Sequence, residues 1–383
     1  MLIEFSCSNH KSIKDKITFS ALASKDTSHS DCLLSFEKYK FDRTMAIYGA
    51  NGSGKSNFLS AIAFAKYLVC NSIQYQPGQL IEHNPHKLSS DNTPSVYQFH
   101  FVESIYRFAY GFSLLNGAVL EEYLYCFNKG RRQKIFERKY NEISLGSRYT
   151  KQSVKAALSV LKENRLFLSC LANFSPSLRT EIAFRFFSDD IVYYNPEESS
   201  YLKDGLKFLQ QNSLKKEVFL CSMQKLGTGI KDLKISFSSD MHQNLTTVVY
   251  DNFETRLETE ESTGIKKLVE LVALMMDVLR NDKILLADNL DVDFHEAVIQ
   301  YVVNTFNKAK ANKKAQLVFT THDVNLLDNK LFRRDQIWFT ELNDSRSTEL
   351  FSLLEFRNVA KSDDLKKDYL NGTYGAIPCI KLR

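Results

Sequence analysis

From its first residues the chain alternates short apolar runs with polar breaks. LIEFSCSN and KITFSAL each read as a short strand, and RTMAIYG, residues 43–49, is an apolar strand that runs straight into a glycine-rich turn. From Ser56 onward, SNFLSAIAFAKYLV carries apolar residues at helical spacing, which predicts a strand, loop and helix unit. Between Val96 and Tyr140 the period falls to two. VYQFHFV, YRFAYGFSLL, VLEEYLYCF and QKIFERKY, separated by Asn-Gly and Lys-Gly breaks, predict an antiparallel meander, with Glu121 and Glu122 on a strand edge facing solvent. From Tyr149 to Gln224 the period lengthens, as in SVKAALSVLKENRLFLSCLA and YLKDGLKFLQQ, and predicts mostly helix. LKISFS and TTVVYD return to strand. ILLAD and QLVFTTHD are then apolar runs closed by polar clusters, with the helical FHEAVIQYVVNTFNKAKA between them.

Buried strands that alternate with helices imply a mainly parallel sheet. The expected architecture is therefore α/β, in three parts: an N-terminal lobe over residues 1–148 with the glycine-rich loop and the meander, a mostly helical insertion over 149–230, and a C-terminal lobe over 231–383. The two lobes are expected to form one composite domain. No repeat, low-complexity tract or long linker interrupts the chain.

Composition narrows the class. A chain of 383 residues with 44% hydrophobic and 25% charged residues has the make-up of a globular protein with a sizeable core. No apolar run reaches the roughly 20 residues of a membrane span, and MLIEFSCSNHKS lacks a signal-peptide core, so a cytoplasmic protein without membrane contact is expected. Cys7, Cys32, Cys70, Cys126, Cys170, Cys221 and Cys379 are scattered, odd in number and without a CxxC pair, which argues for reduced thiols. A net charge of +5 permits contact with nucleic acid without indicating it.

The strongest local signal is GANGSGKS, Gly49 to Ser56, which satisfies G-x-x-x-x-G-K-[ST] between a predicted strand and a predicted helix. Glycines at 49, 52 and 54 let backbone N–H groups wrap phosphates, and the helix start adds positive partial charge. Lys55 can reach the β- and γ-phosphates and Ser56 can ligate magnesium. Asn51, Ser53 and Asn57 complete the loop and its first helical turn. A chance glycine turn with a stray lysine is the alternative, and the flanking strand and helix argue against it.

A phosphate loop by itself fits kinases, GTPases, AAA+ motors and ABC-type heads. Downstream, ESTGIKKL sets Ser262, Thr263 and Gly264 at the start of the apolar helix VELVALMMDVLR; Ser262 can cap it, and the free N–H groups with Gly264 offer a second anion site. ILLADNLDVDFH, residues 284–295, ends a buried strand on Asp288, as a metal-site strand of an ATPase does. QLVFTTHD ends another on His322, and both residues would face the crevice at the carboxyl edge of a parallel sheet. Each of these is weak alone. Their order along the chain is what chance explains poorly.

With those residues in hand, the sequence resembles an ABC-type ATPase head of the group that includes overcoming-lysogenization-defect nucleases, AbiL-type abortive-infection ATPases and retron-associated ATPases, related to SMC and RecF heads. LIEFSCSNHKSIKDKITFSALAS, YGANGSGKSNFLSAI, ESTGIKKL, LLADNLDVDFH, QLVFTTHDVNLLD, RRDQIWFTELN and YGAIP carry the likeness over nearly the whole chain. The resemblance implies that GANGSGKS is Walker A, ESTG the ABC signature, Asp288 the Walker B aspartate, Asp291 the D-loop aspartate and His322 the switch histidine. It implies ATP and Mg2+ as cofactors. It also implies a head-to-tail homodimer in which the loop of one copy and the signature of the other share one nucleotide.

Three departures qualify the likeness. The position after the Walker B aspartate normally holds glutamate as general base, and Asn289 cannot take a proton; loss of a general base slows a reaction roughly a hundred- to ten-thousand-fold. A natural slow ATPase, a substitute base such as Asp291 or His322, and an engineered substitution all remain open. Gln98, the nearest match to the glutamine of ABC heads, sits in an alternating strand and receives no role. A C-terminal Toprim nuclease of the kind some relatives carry is not seen, so a separately encoded effector such as a nuclease is the expected partner.

Other stretches have plainer readings. NKGRRQKIFERK is read as a solvated basic hairpin rather than a phosphate or RNA contact. Pro85 between His83 and His86 argues against a helical metal pair, and the aromatic run in FRFFSDDIVYYN is read as packing. The expected function is an ATP-binding sensor and scaffold in anti-phage, abortive-infection defence with slow hydrolysis. A RecF- or SMC-like ATP-dependent DNA clamp is the rival, and would call for long heptad arms or a strong basic stripe.

Overall fold

The computed structural model of the protein describes residues 1–383 except 129, 199–200, 239–242, 310–312, 358, 360–363 and 379–383. Lys129 of the basic hairpin and Cys379 thus lie outside the described residues. The other six cysteines are free thiols, four of them buried.

Two sheets organise the chain. In the six-stranded sheet the order is Ile191–Tyr194, Ile284–Ala287, Gln316–Thr320, Thr44–Gly49, Ile337–Leu342 and Thr348–Ser352. The first five run parallel and the last pairs antiparallel. The seven-stranded antiparallel sheet runs Glu142–Leu145, Arg131–Lys139, Ala118–Asn128, Tyr106–Leu115, Ser95–Glu103, Leu2–Ser8 and Ile17–Ser20. The expected meander therefore forms, and the two N-terminal strands extend it.

Alternation along Thr44–Gly49 explains how the layers stack. Met45 and Ile47 point into one core and Ala46 and Tyr48 into another. The first core clamps helix Lys55–Asn71 between the sheets, its Phe58, Leu59, Ile62, Ala65 and Val69 meeting Phe5, Phe19 and Phe99 on one side and Leu286 and Val318 on the other. The second core covers the far face of the parallel sheet with helices Thr263–Arg280 and Glu296–Asn307.

Two expectations are amended, the mostly helical span by the addition of a strand and the solvent-facing Glu122 by a reversal. Residues 149–230 contain helices Lys155–Val160, Phe167–Phe174, Leu178–Arg185, Leu202–Gln210 and Ser213–Lys225, but also the strand Ile191–Tyr194, which joins the edge of the parallel sheet. Its four residues are too few to establish a period. Phe186 and Phe187 of the same aromatic run are fully buried packing residues.

Glu122 is the second correction: it is buried, not solvent-facing. Ser113 pairs with Glu121 but Leu114 with Val119, so a bulge at Leu120 resets the alternation and turns Glu122 inward. There it accepts from Phe167 N at 2.5 Å, Leu168 N at 3.0 Å and Tyr110 Oη at 3.0 Å, with Arg138 at 3.7 Å. Burial pushes its pKa up, and Arg138 and the two helix N–H groups oppose that shift. Arg138, from the stretch read as a solvated hairpin, is buried as well and donates to the carbonyls of Tyr140, Lys162 and Arg165.

Candidate functional site

The carboxyl ends of three central parallel strands bring Gly49, Asp288 and His322 to one edge of the sheet. Gly49 opens the loop, which closes into helix Lys55–Asn71. Gly54, at φ 107°, precedes that helix, and a Cβ there would lie 2.0 Å from Thr348 Oγ1, so both the backbone and the space call for glycine. Hydroxyls hold the loop from behind. Thr348 Oγ1 donates to Ser53 O at 2.9 Å, and Ser53 Oγ pairs with Thr340 Oγ1 at 2.6 Å. Asn57 Nδ2 donates to Ser12 Oγ at 2.7 Å, which in turn bonds Thr348 Oγ1 at 2.7 Å. The side chains of Ser53 and Asn57 therefore brace the loop.

Lys55 is buried and its Nζ donates to the carbonyls of Gly49 at 2.7 Å and Ala50 at 3.1 Å. Burial pushes its ammonium down to about 8, against the pull of Asp291 and Asp288.

Asp288 is the hub. Its Oδ1 accepts from Ser56 Oγ at 3.0 Å and Thr320 Oγ1 at 2.7 Å, and its Oδ2 from Tyr193 Oη at 3.3 Å. Thr320 Oγ1 also accepts from Asn289 N at 2.7 Å, which fixes the turn after the strand. Asn289 sits in the left-handed region at φ 52°, a conformation asparagine tolerates better than most residues. Asp291 Oδ2 accepts from His322 N at 3.0 Å, while Asp291 Oδ1 is buried with no hydrogen-bond partner among the described residues. Partial desolvation and Lys55 lower the pKa of the exposed His322 imidazole, against Asp291 and Asp288, which favours its neutral form.

Asn51, Gly52, Gly54, Lys55, Ser56, Asn57, Asn289 and His322 line one open cavity of 320 Å3. Ser262, Thr263 and Gly264 do not join it. They are exposed at the start of helix Thr263–Arg280, where Ser262 Oγ accepts from Ile265 N at 3.2 Å as the helix cap. Gln98 lies elsewhere, on the outer face of the antiparallel sheet beside Ser6, Lys16 and Tyr123. Tyr369, Ile377 and Pro378 of the C-terminal stretch wall a second cavity of 790 Å3 with Gly49, Asn51 and His322.

Ser12, Tyr193, Thr320, Thr340 and Thr348 escaped the reading of the sequence. Of these only Thr320 carried a local signal, as the first Thr of TTHD at a strand end. The others act through tertiary contacts that no spacing reveals.

The cluster joins a basic, N–H-rich loop to hard oxygen donors and a buried carboxylate oxygen without a partner. A phosphorylated ligand with a divalent cation meets both demands. Comparison with known proteins agrees with that chemistry. The family model described as "AAA domain, putative AbiEii toxin, Type IV TA system" matches residues 45–328. None of the curated proteins matches the chain. Similar solved structures include the SMC head domain from Thermotoga maritima, 13% identical with 92% of this chain and 98% of that one covered at a TM-score of 0.45. Another is the "Smc head domain with an extended coiled coil bound to the C-terminal domain of ScpA derived from Pyrococcus furiosus", 14% identical with 92% and 96% covered at 0.43. Among the described residues no helix is long and apolar enough to cross a membrane. The family match spans well over half of the chain, from the loop strand past His322, and the chain belongs to this AAA family as a P-loop, nucleotide-binding ATPase domain.

Proposed function

We propose that the protein binds Mg–ATP between two copies arranged head to tail, hydrolyses it slowly, and acts as the sensor and scaffold of an anti-phage, abortive-infection system that controls a separately encoded effector such as a nuclease. The observation that carries the reading is the split of the anion-binding groups. Loop, Lys55, Ser56, Asn289 and His322 gather in one cavity with the buried Asp288 bonded to Ser56 beside it, while the Ser262 helix start lies exposed outside. A second copy can supply the missing turn.

In this reading Lys55 leaves the carbonyls of Gly49 and Ala50 for the β- and γ-phosphates, and the loop amides take the remaining phosphate oxygens. Ser56 and Asp288 would hold Mg2+, which neutralises charge on the phosphates when bound. Asn289 can orient a water by hydrogen bonding but cannot accept its proton. His322, neutral at the cavity rim, can accept a hydrogen bond from the same region. A long-lived ATP state suits a switch, because signalling needs a nucleotide-dependent state and few turnovers. The family's own description, which names a toxin and a toxin–antitoxin system, supports the defence setting.

Sedimentation with and without Mg–ATP tests the pair. The mass is expected to double with ATP, and Ser262→Arg, which sets a bulky side chain in the turn, is expected to keep the protein monomeric while leaving binding to the loop intact. A protein that stays monomeric at saturating nucleotide would remove the head-to-tail arrangement. Retention of the neighbouring gene's product, with toxicity when the two are uncoupled, tests the effector.

Lys55 adds a pH signature. Burial holds its ammonium at about 8 and phosphate would stabilise it, so binding takes up protons and weakens as pH rises through 8. Affinity is expected to fall roughly tenfold between pH 7 and pH 9, with proton uptake seen by calorimetry in buffers of different ionisation enthalpy. A flat profile would mean that Lys55 keeps its proton throughout this range with or without phosphate.

A further inference from the structure

We propose that Tyr193 is a positioning residue of the metal–nucleotide site, its phenol holding Asp288 by the carboxylate oxygen that Ser56 and Thr320 leave free. This rests on the reading above, in which Asp288 holds the metal.

The contacts around Asp288 divide unevenly. Oδ1 takes both hydroxyls, at 3.0 Å and 2.7 Å, whereas Oδ2 has Tyr193 Oη at 3.3 Å. A carboxylate held at one oxygen can still swing its second oxygen, and outer partners that stop such motion orient a metal's direct ligands. Tyr193 is supplied by the edge strand Ile191–Tyr194. Tyr193 pairs with Leu286 and Tyr194 with Ala287, and Asp288 N donates to Tyr194 O at 2.8 Å. Backbone and side chain of this strand end thus both grip Asp288.

Packing does not account for the ring. Ile191 and Tyr194 of the same strand are core residues, while Tyr193 belongs to neither apolar core and remains 37% exposed. It lies on the side of the sheet that faces helix Lys55–Asn71, bordering a 610 Å3 cavity with Lys66 and Tyr67 of that helix. A large side chain that leaves the core and meets a buried carboxylate with its one polar atom is placed for that contact.

The test is nucleotide binding measured twice, in EDTA and in Mg2+, with a fluorescent ATP analogue and the intact chain. Wild type is expected to bind more tightly in Mg2+. Tyr193→Phe and Tyr193→Ala are expected to match wild type in EDTA and to lose the same share of the Mg2+-dependent gain, about three- to tenfold, the size of one ordinary net hydrogen bond. Tyr193→Phe behaving as wild type in both conditions overturns the proposal while leaving the metal site standing, and so does a loss confined to Tyr193→Ala, which would make the ring a packing element. Weaker binding of Tyr193→Phe in EDTA would also overturn it, since the effect would then lie outside the metal. Wild-type binding indifferent to Mg2+ removes the underlying metal reading together with this one.

Discussion

Asn289→Glu is expected to raise ATP turnover by roughly a hundred- to ten-thousand-fold, the range a positioned general base contributes. The carboxylate would enter the 320 Å3 cavity that Asn289 shares with Lys55, Ser56 and His322, where an attacking water has room. Dimer lifetime in ATP should shorten in step. The substitution has an opposing term: at φ 52° the backbone suits asparagine, and glutamate there carries about 1 kcal/mol or more of strain. That term lowers stability and leaves the direction of the rate change intact. Single-turnover hydrolysis and sedimentation on the same samples read both effects. Unchanged turnover with intact Mg–ATP binding would move the base to His322 or Asp291, or end the assignment of this strand as the metal strand.

Glu122→Ala is expected to lower stability by about 3–5 kcal/mol, the size seen when one partner of a buried ion pair is removed. The substitution would leave Arg138 buried without its counter-charge, and would strip the acceptor from Phe167 N, Leu168 N and Tyr110 Oη together. Glu122→Gln keeps one acceptor and most of the volume, and should lose about half as much. Because this residue joins strand Ala118–Asn128 to the start of helix Phe167–Phe174, hydrogen exchange in residues 155–185 should quicken before the parallel sheet is affected. Equal urea midpoints for wild type and Glu122→Ala would mean that the pair contributes no net stability.

How far the residues spoke for themselves depended on how local their message was. GANGSGKS announced itself because glycine positions, lysine and helix start lie within one turn of chain, and the ends of ILLAD and QLVFT showed because an apolar run closed by acid or histidine is a short-range pattern. Thr340 and Thr348 act on that loop from nearly three hundred residues away and left no trace in spacing. Tyr193 was read as one more ring in an aromatic run, since four residues cannot reveal a strand. Glu122 was misplaced for a geometric reason: period-two alternation holds only until a bulge, and the bulge at Leu120 exchanges the two faces.

The strand that ends at Gly49 has as its neighbours Gln316–Thr320 and Ile337–Leu342, and its loop is braced by Thr340 and Thr348. On the ribosome, then, the phosphate loop is made early and its mould very late. At about 5–20 residues per second the interval is roughly a quarter of a minute to a minute, during which a nascent chain holds every loop residue and no site. The loop can first be held in its binding shape once Thr340 and Thr348 have been made. Nucleotide binding would thereby report that the strands bracing the loop have folded around it.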